Sequence, residues 1–238
     1  MKILITGITG FVGSHLAEYV LKQKEGHEIY GLCRARSPKD NLSKIYNKIK
    51  MVEADLCDLS GLLRHVKMIR PDIIFHLAAQ SYVLTSFNTP VQTIWTNVIG
   101  TVNLLEAVRL SEINPVIHIC SSSEVYGQVS EDEVPITESC PFRPASPYAV
   151  SKVGEDMVAF QYWVSYKIKT IRTRMFTHTG PRRGDVFAMS FFGKQIAAAE
   201  LGLKEPIIHV GNLKSIRTFC DVRDAVKAYW LLVNKCKP

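Results

Sequence analysis

Tyr148 and Lys152 stand four residues apart, directly after Ser146-Pro147. Proline suits the first turn of a helix, and positions i and i+4 share a helix face. An ammonium beside a phenol favours the phenolate. The spacing therefore predicts a tyrosine of lowered pKa that carries a proton near neutral pH. Upstream, Ser121-Ser122-Ser123-Glu124-Val125-Tyr126-Gly127 follows the apolar run Val116–Cys120. Ser122 at the end of that run is placed to hydrogen-bond the same substrate oxygen. Taken alone, Tyr–x3–Lys fits an ordinary helix start equally well.

The elements that must position these groups are legible as alternating runs. Lys2–Thr6 reads as a first strand, and Gly7-Ile8-Thr9-Gly10-Phe11-Val12-Gly13 leads into a helix from Ser14 to about Gln23. Glycines at this spacing allow a tight turn and close approach of backbone N–H groups to a pyrophosphate at the helix N-terminus. The pattern is GxxGxxG rather than the commoner GxGxxG, and its place between strand and helix gives it meaning. A second strand, His27–Cys33, ends in Cys33-Arg34-Ala35-Arg36-Ser37. Arg34 and Arg36 stand where an acid usually holds the ribose 2′-hydroxyl. They suit a 2′-phosphate, which favours NADP over NAD, against the alternative of a solvated basic loop.

Further strands are predicted at Ile49–Ala54, Asp72–Leu77, Val116–Cys120 and Thr170–Phe176, with a short one near Ile207-Ile208-His209. Helices are predicted over about 60–69, 91–110, from Pro147 onward, 187–200 and 221–234. Asp55-Leu56 would meet an adenine edge, and Ala78-Ala79-Gln80-Ser81 are small enough to let a cofactor lie close. Asn97 falls on or near the buried stripe of the 91–110 helix, where an ordinary satisfied core amide is the competing reading. Strands alternating with helices predict an α/β fold with a doubly wound parallel Rossmann sheet. Residues 1–176 would form the dinucleotide-binding domain with the catalytic residues. Residues 177–238 would form a small, incomplete substrate-binding part interleaved with the last Rossmann elements.

Composition narrows the partners. The net charge is +7, from 29 Lys and Arg against 22 Asp and Glu, but the basic residues are dispersed. Without a basic block or an interleaved aromatic stripe, a phosphorylated small molecule fits better than nucleic acid. Six cysteines are scattered with no CxxC pair, and seven histidines show no ligand spacing. Reduced thiols in the cytoplasm and no metal site are expected. No apolar run is long enough for a membrane span, and no signal peptide is legible.

Together, TGxxGFxG (6–13), Asp55-Leu56, Leu77-Ala78-Ala79, Asn97, Ser122 and Tyr148-x3-Lys152 resemble the extended short-chain dehydrogenase/reductases across the whole chain. Within them, Ala78-Ala79-Gln80-Ser81, Ser122-Ser123-Glu124, Ser146 to Val150 and Pro181-Arg182-Arg183-Gly184 are similar to GDP-mannose 4,6-dehydratases. Lys194-Gln195-Ile196, Glu205 to Ile208, Gly211-Asn212-Leu213 and Asp221 to Asp224 are similar to GDP-4-keto-6-deoxy-D-mannose reductases.

The resemblance implies roles. Ser122, Glu124, Tyr148 and Lys152 would be catalytic, with Glu124 removing the C5 proton in a dehydratase. Gly7, Thr9, Gly10, Phe11, Val12, Gly13, Arg34, Arg36, Asp55, Leu56, Leu77, Ala78, Ala79, Ser81, Asn97, Tyr148, Lys152 and His178 would hold NADP. Ser81, Ser123, Thr177, Arg182, Arg183, Lys194 and Arg217 would meet a GDP-linked sugar. A homo-oligomer, dimer or tetramer, is implied. The implied activity is 4,6-dehydration of GDP-mannose through transient hydride transfer. The alternatives are an NADPH-dependent 4-ketoreductase, another nucleotide-sugar epimerase, and a binding protein that retains the fold without turnover. The complete Ser122/Tyr148/Lys152 set argues against the last. Two residues depart from the pattern: Thr177 stands where an asparagine is usual, and Thr218 where an acid often follows the Arg217 position. Members of the family typically continue well beyond this length, so an incomplete substrate half with exposed apolar surface is expected.

Overall fold

Six short strands rich in Ile, Val and Leu form one parallel sheet. The computed structural model describes residues 1–23 and 26–236, so 237–238 at the end of the expected substrate part lie outside the described residues. In chain order the elements begin β1 (Lys2–Thr6), α1 (Phe11–Leu21), β2 (Glu28–Cys33), β3 (Lys50–Glu53), α2 (Leu59–Ile69) and β4 (Ile73–His76). They continue with α3 (Val83–Asn88), α4 (Pro90–Ile94), a π-helical turn (Trp95–Ile99), α5 (Gly100–Leu110), β5 (Val116–Cys120), α6 (Pro147–Tyr166) and β6 (Thr170–Thr173). A short β7 (Thr177–Thr179), α7 (Ala188–Glu200), β8 (Phe219–Asp221) and α8 (Val222–Lys235) complete the described chain.

The sheet order is β3-β2-β1-β4-β5-β6, with every pairing parallel. Strand order reverses between β1 and β4, and the crevice beyond their C-terminal ends is where such sheets bind ligands. Alternate residues of each strand face opposite layers. Ile3 and Ile5 of β1 pack with Leu16 and Val20 of α1 and with Val226, Tyr229 and Val233 of α8. Leu4 faces the other layer, with Leu62 and Val66 of α2, Leu104 and Val108 of α5, and Ala159 of α6. Helix α8 thus belongs to the Rossmann body even though it lies late in the chain.

Three differences from the sequence reading have local causes. No strand forms at 207–209, because the Gln195 side chain accepts from the His209 N–H at 2.7 Å and donates to its carbonyl at 3.0 Å. The predicted 170–176 strand ends at Thr173, and Thr177–Thr179 pairs instead with Phe219–Asp221 as a separate two-stranded parallel sheet. The predicted 91–110 helix is continuous but contains the π turn, which puts one extra residue in its circuit beside Asn97. The short α3 went unpredicted.

Candidate active site

The glycine turn sets one wall of the cleft. Gly7 has φ +68°, and a Cβ there would sit 2.8 Å from the Ala78 backbone at the end of β4. A Cβ on Gly13 would lie 2.4 Å from the Gly7 carbonyl oxygen. Only glycine lets α1 begin this close to the strand ends. Gly10 caps α1 without a side-chain hydrogen bond. The first N–H groups of this helix therefore have no side-chain cap, the arrangement that attracts phosphate oxygens.

The floor is held by buried side chains. The Thr6 hydroxyl oxygen accepts from the Leu77 and Ala78 N–H groups at 3.1 Å each, and it pairs with His76 Nδ1 at 2.9 Å. His76 Nε2 pairs with Thr101 at 3.0 Å, and the Thr101 hydroxyl donates to the Asn97 carbonyl at 2.7 Å. Asn97, fully buried, accepts from the Gln80 N–H at 2.8 Å and donates to the Gln80 carbonyl and the Ser151 hydroxyl. Asn97 thus holds the loop after β4 and lies beneath the cleft rather than on its wall. Burial holds His76 down to about 3, with Lys152 and His118 adding repulsion. It holds His118 down to about 3 as well, again with Lys152.

The chemical groups converge on the other wall. Ser146 caps α6 by accepting from the Ala149 N–H at 3.0 Å, with Pro147 in the first turn. Tyr148 and Lys152 then share the inward face, 8% and 4% exposed. Ser122 caps the short 3-10 turn Ser123–Tyr126 by accepting from the Glu124 N–H at 3.2 Å, and its hydroxyl also bonds to the Tyr148 side chain. Glu124 is exposed at the cleft rim.

Lys152 Nζ lies 5.9 Å from the Tyr148 ring centroid. Its hydrogen bonds go to the Cys120 carbonyl at 2.9 Å and to both Glu155 carboxylate oxygens at 3.0 and 2.9 Å. The lowered Tyr148 pKa expected from sequence is therefore corrected. Burial raises it, with Lys152 and Ser122 lowering it and Glu155 raising it. Burial also draws Lys152 down, but Glu155, Tyr148 and Cys120 together more than offset this and leave the lysine above its ordinary value.

A cleft of about 1000 Å³ runs from Cys33, Arg34, Asp55 and Leu56 to Tyr148 and Lys152. Gly7, Thr9, Gly10, Phe11, Val12, Gly13, Leu77, Ala78, Ala79, Ser81, Ser122, Ser123, Glu124, Thr177, His178 and Arg183 also line it. The described lining does not include Arg36, Arg182, Lys194 or Arg217. Arg36 is exposed beyond the Arg34 edge. Arg182 bonds to Ser14 and Glu18 on α1, and Lys194 pairs with Asp185 in a neighbouring hollow. Arg217 is exposed and, among the described residues, bonds to the adjacent Ile216 carbonyl at 3.5 Å. Arg183 stacks 4.1 Å from the Phe187 ring centroid, and Phe11 stacks on His178 at 6.1 Å. Burial lowers the pKa of both His178 and Arg183. The sequence reading missed Cys57, Gln92, Trp95, Thr96, Phe176 and Phe187 in the lining. Trp95 and Thr96 directly precede Asn97, and that adjacency was the available signal.

A doubly wound sheet, a glycine turn at its switch point and a Ser/Tyr/Lys wall define an extended short-chain dehydrogenase/reductase. The family model described as GDP-mannose 4,6 dehydratase matches residues 4–238, and the chain belongs to that family. A GDP-mannose 4,6-dehydratase of Yersinia enterocolitica is 39% identical over all of this chain, which spans 65% of that relative's length. A GDP-6-deoxy-D-mannose reductase of Pseudomonas aeruginosa is 33% identical over 98% of the chain and 70% of its own length. Among solved structures, the NADPH complex of RMD from P. aeruginosa superposes with TM-score 0.85 at 30% identity, over 99% of this chain and 74% of that one. The dTDP-glucose 4,6-dehydratase DesIV of Streptomyces venezuelae, with NAD and TYD bound, gives 0.88 at 27%, over 100% and 73%. No helix among the described residues is long and apolar enough to cross a membrane.

Proposed function

We propose that the chain carries the cofactor and proton-transfer half of a GDP-mannose 4,6-dehydratase. The observation that supports this most is Glu124 on the rim of the cleft that also holds Ser122 and Tyr148. The uncapped start of α1 and the glycine approach to Ala78 fit a dinucleotide pyrophosphate. Arg34 and Asp55 lie at the adenosine end, and NADP is the favoured form. The bound nicotinamide supplies a reversible hydride acceptor. Tyr148 takes the proton of the sugar 4-hydroxyl while Ser122 donates to the same oxygen. Once a carbonyl stands at C4, the neighbouring C5 proton is acidified. Glu124 removes it and passes a proton to the C6 hydroxyl, which leaves as water. The hydride is then returned to C6 as a solvent proton enters C5.

Ser81, Ser123, Thr177 and Arg183 are the groups offered to the sugar nucleotide. Arg182, Lys194 and Arg217 join them only if their present bonds rearrange. The second reading is a 4-ketoreductase, favoured by the likeness to the Pseudomonas reductase; Tyr148 and Ser122 serve it equally. We also read the chain as forming a homo-oligomer, because Leu84 and Phe87 of α3, Val91 of α4, and Met157, Phe160 and Val164 of α6 are exposed.

The test is incubation with GDP-mannose and catalytic NADP⁺ in deuterated water. A 4-keto product with deuterium at C5 and no net NADPH supports the dehydratase, and Glu124→Gln must abolish both. Turnover of a keto sugar that consumes NADPH, with none from GDP-mannose, replaces it with the reductase.

A further inference from the structure

Glu155 is used by neither the cleft nor the chemistry above. It follows Lys152 by one turn of α6, is 1% exposed, and grips Nζ with both oxygens. A carboxylate is not buried in a helix core without a partner, and Lys152 is that partner. The ammonium is thereby tethered 5.9 Å from the Tyr148 ring centroid. Its third hydrogen bond goes to the Cys120 carbonyl.

We propose that Glu155 is a positioning residue for proton transfer: its carboxylate anchors the Lys152 ammonium and offsets its charge, and so sets how readily the Tyr148 phenol gives up its proton. The inference rests on the reading of Tyr148 as the proton carrier. The surrounding groups leave this role to Glu155. On α6, Asp156 is committed to Arg172 and Arg174 of the β6 region at 2.6 and 2.8 Å. On β5 and β4, burial keeps His118 and His76 neutral far below neutral pH. Burial also keeps the Cys120 thiol and, on α8, the Tyr229 phenol protonated. Arg183 faces Tyr148 from the loop after β7 and is cationic throughout. Near neutrality, the charge that Lys152 projects on Tyr148 is therefore set by Glu155. Burial pushes Glu155 itself up to about 7 against the pull of Lys152, so the tether loosens as pH falls.

The phenol can be read without substrate or cofactor. Protein labelled with 13C at the tyrosine ζ carbon is titrated, and Tyr148 is assigned by its loss in Tyr148→Phe. In Glu155→Gln, which keeps shape but not charge, the Tyr148 midpoint should fall by about one pH unit or more. In Glu155→Asp, which keeps the charge, it should stay near the wild-type value. An unchanged or raised midpoint in Glu155→Gln, or an equal fall in Glu155→Asp, overturns the proposal. Should Glu155→Gln lose the native amide spectrum, Lys152→Gln/Glu155→Gln is read against Lys152→Gln. There the phenol must ionise at lower pH in the double variant, and equal midpoints overturn the proposal. Absence of turnover would sink the dehydratase reading and leave this titration as it stands.

Discussion

Replacing Asp156 with Asn tests how α6 is fixed to the sheet. The Asp156 side chain is fully buried. Its carboxylate accepts from Arg172 at 2.6 Å and from Arg174 at 2.8 and 3.2 Å. Arg174 in turn donates to the Tyr126 hydroxyl and to the Glu138 carbonyl, so one carboxylate ties α6 to β6 and to the turn that carries Glu124. Removing one partner of a buried ion pair costs about 3 to 5 kcal/mol. The two arginines keep 28% and 15% of their side chains exposed and can recover water. Asn also retains one acceptor, so the loss should fall at the low end, about 3 kcal/mol. At about 2 to 4 °C per kcal/mol for a chain of this size, the thermal midpoint should drop by about 6 to 12 °C. Circular dichroism melts of the two proteins at matched concentration provide the measurement. A fall below about 2 °C would mean that the arginines rehydrate at almost no cost and that the pair is not what holds α6.

Tyr148→Phe should remove nearly all turnover while cofactor affinity, read by calorimetry, stays within a few fold; near-native turnover would reassign the proton carrier. Arg34→Ala should erode a preference for NADP(H) over NAD(H) more than Arg36→Ala does, since only Arg34 lines the cleft; equal effects in paired titrations would reject that division. His76 and His118 are held down to about 3 when folded, against an ordinary 6.5. As pH falls below 6.5 the unfolded chain takes up those protons first, so stability is full above that value and is lost from there down towards 3. Each histidine contributes a slope of about 1.4 kcal/mol per pH unit once well inside the window. Urea midpoints measured from neutral pH into this window should fall steeply, and His118→Asn should flatten the fall.

Much of the architecture was legible because local signals and tertiary packing agree. Ser146-Pro147 names both the cap and the first turn of α6, and the glycine turn between β1 and α1 admits little else. Direction was harder to read than chemistry. Arg34 and Arg36 are both arginines on one loop, yet only the first reaches the cleft, because a charge run does not disclose which side chain turns inward. Lys152 and Glu155 are legible as an i, i+3 pair, but an ion pair at that spacing usually sits in water. Its burial follows from packing against β5, where Lys152 meets the Cys120 carbonyl, and the raised Tyr148 follows first from the burial of the phenol itself. At 207–209 the apolar run promised a strand. The competing side chain, Gln195, lies fourteen residues upstream and carries no local signal.

The buried string from Thr6 through His76 and Thr101 to Asn97 divides the cleft into parts with different freedom. Its floor is fixed by side chains that no ligand touches, so a bound dinucleotide meets a surface already in place and little ordering entropy is lost there. The stretch 201–219 is exposed throughout, lines no part of this cleft and is tied back chiefly through Gln195. Changes along it leave the buried string and the Tyr148 wall untouched. Selection on that outer stretch and selection on the cleft floor can therefore act on separate residues.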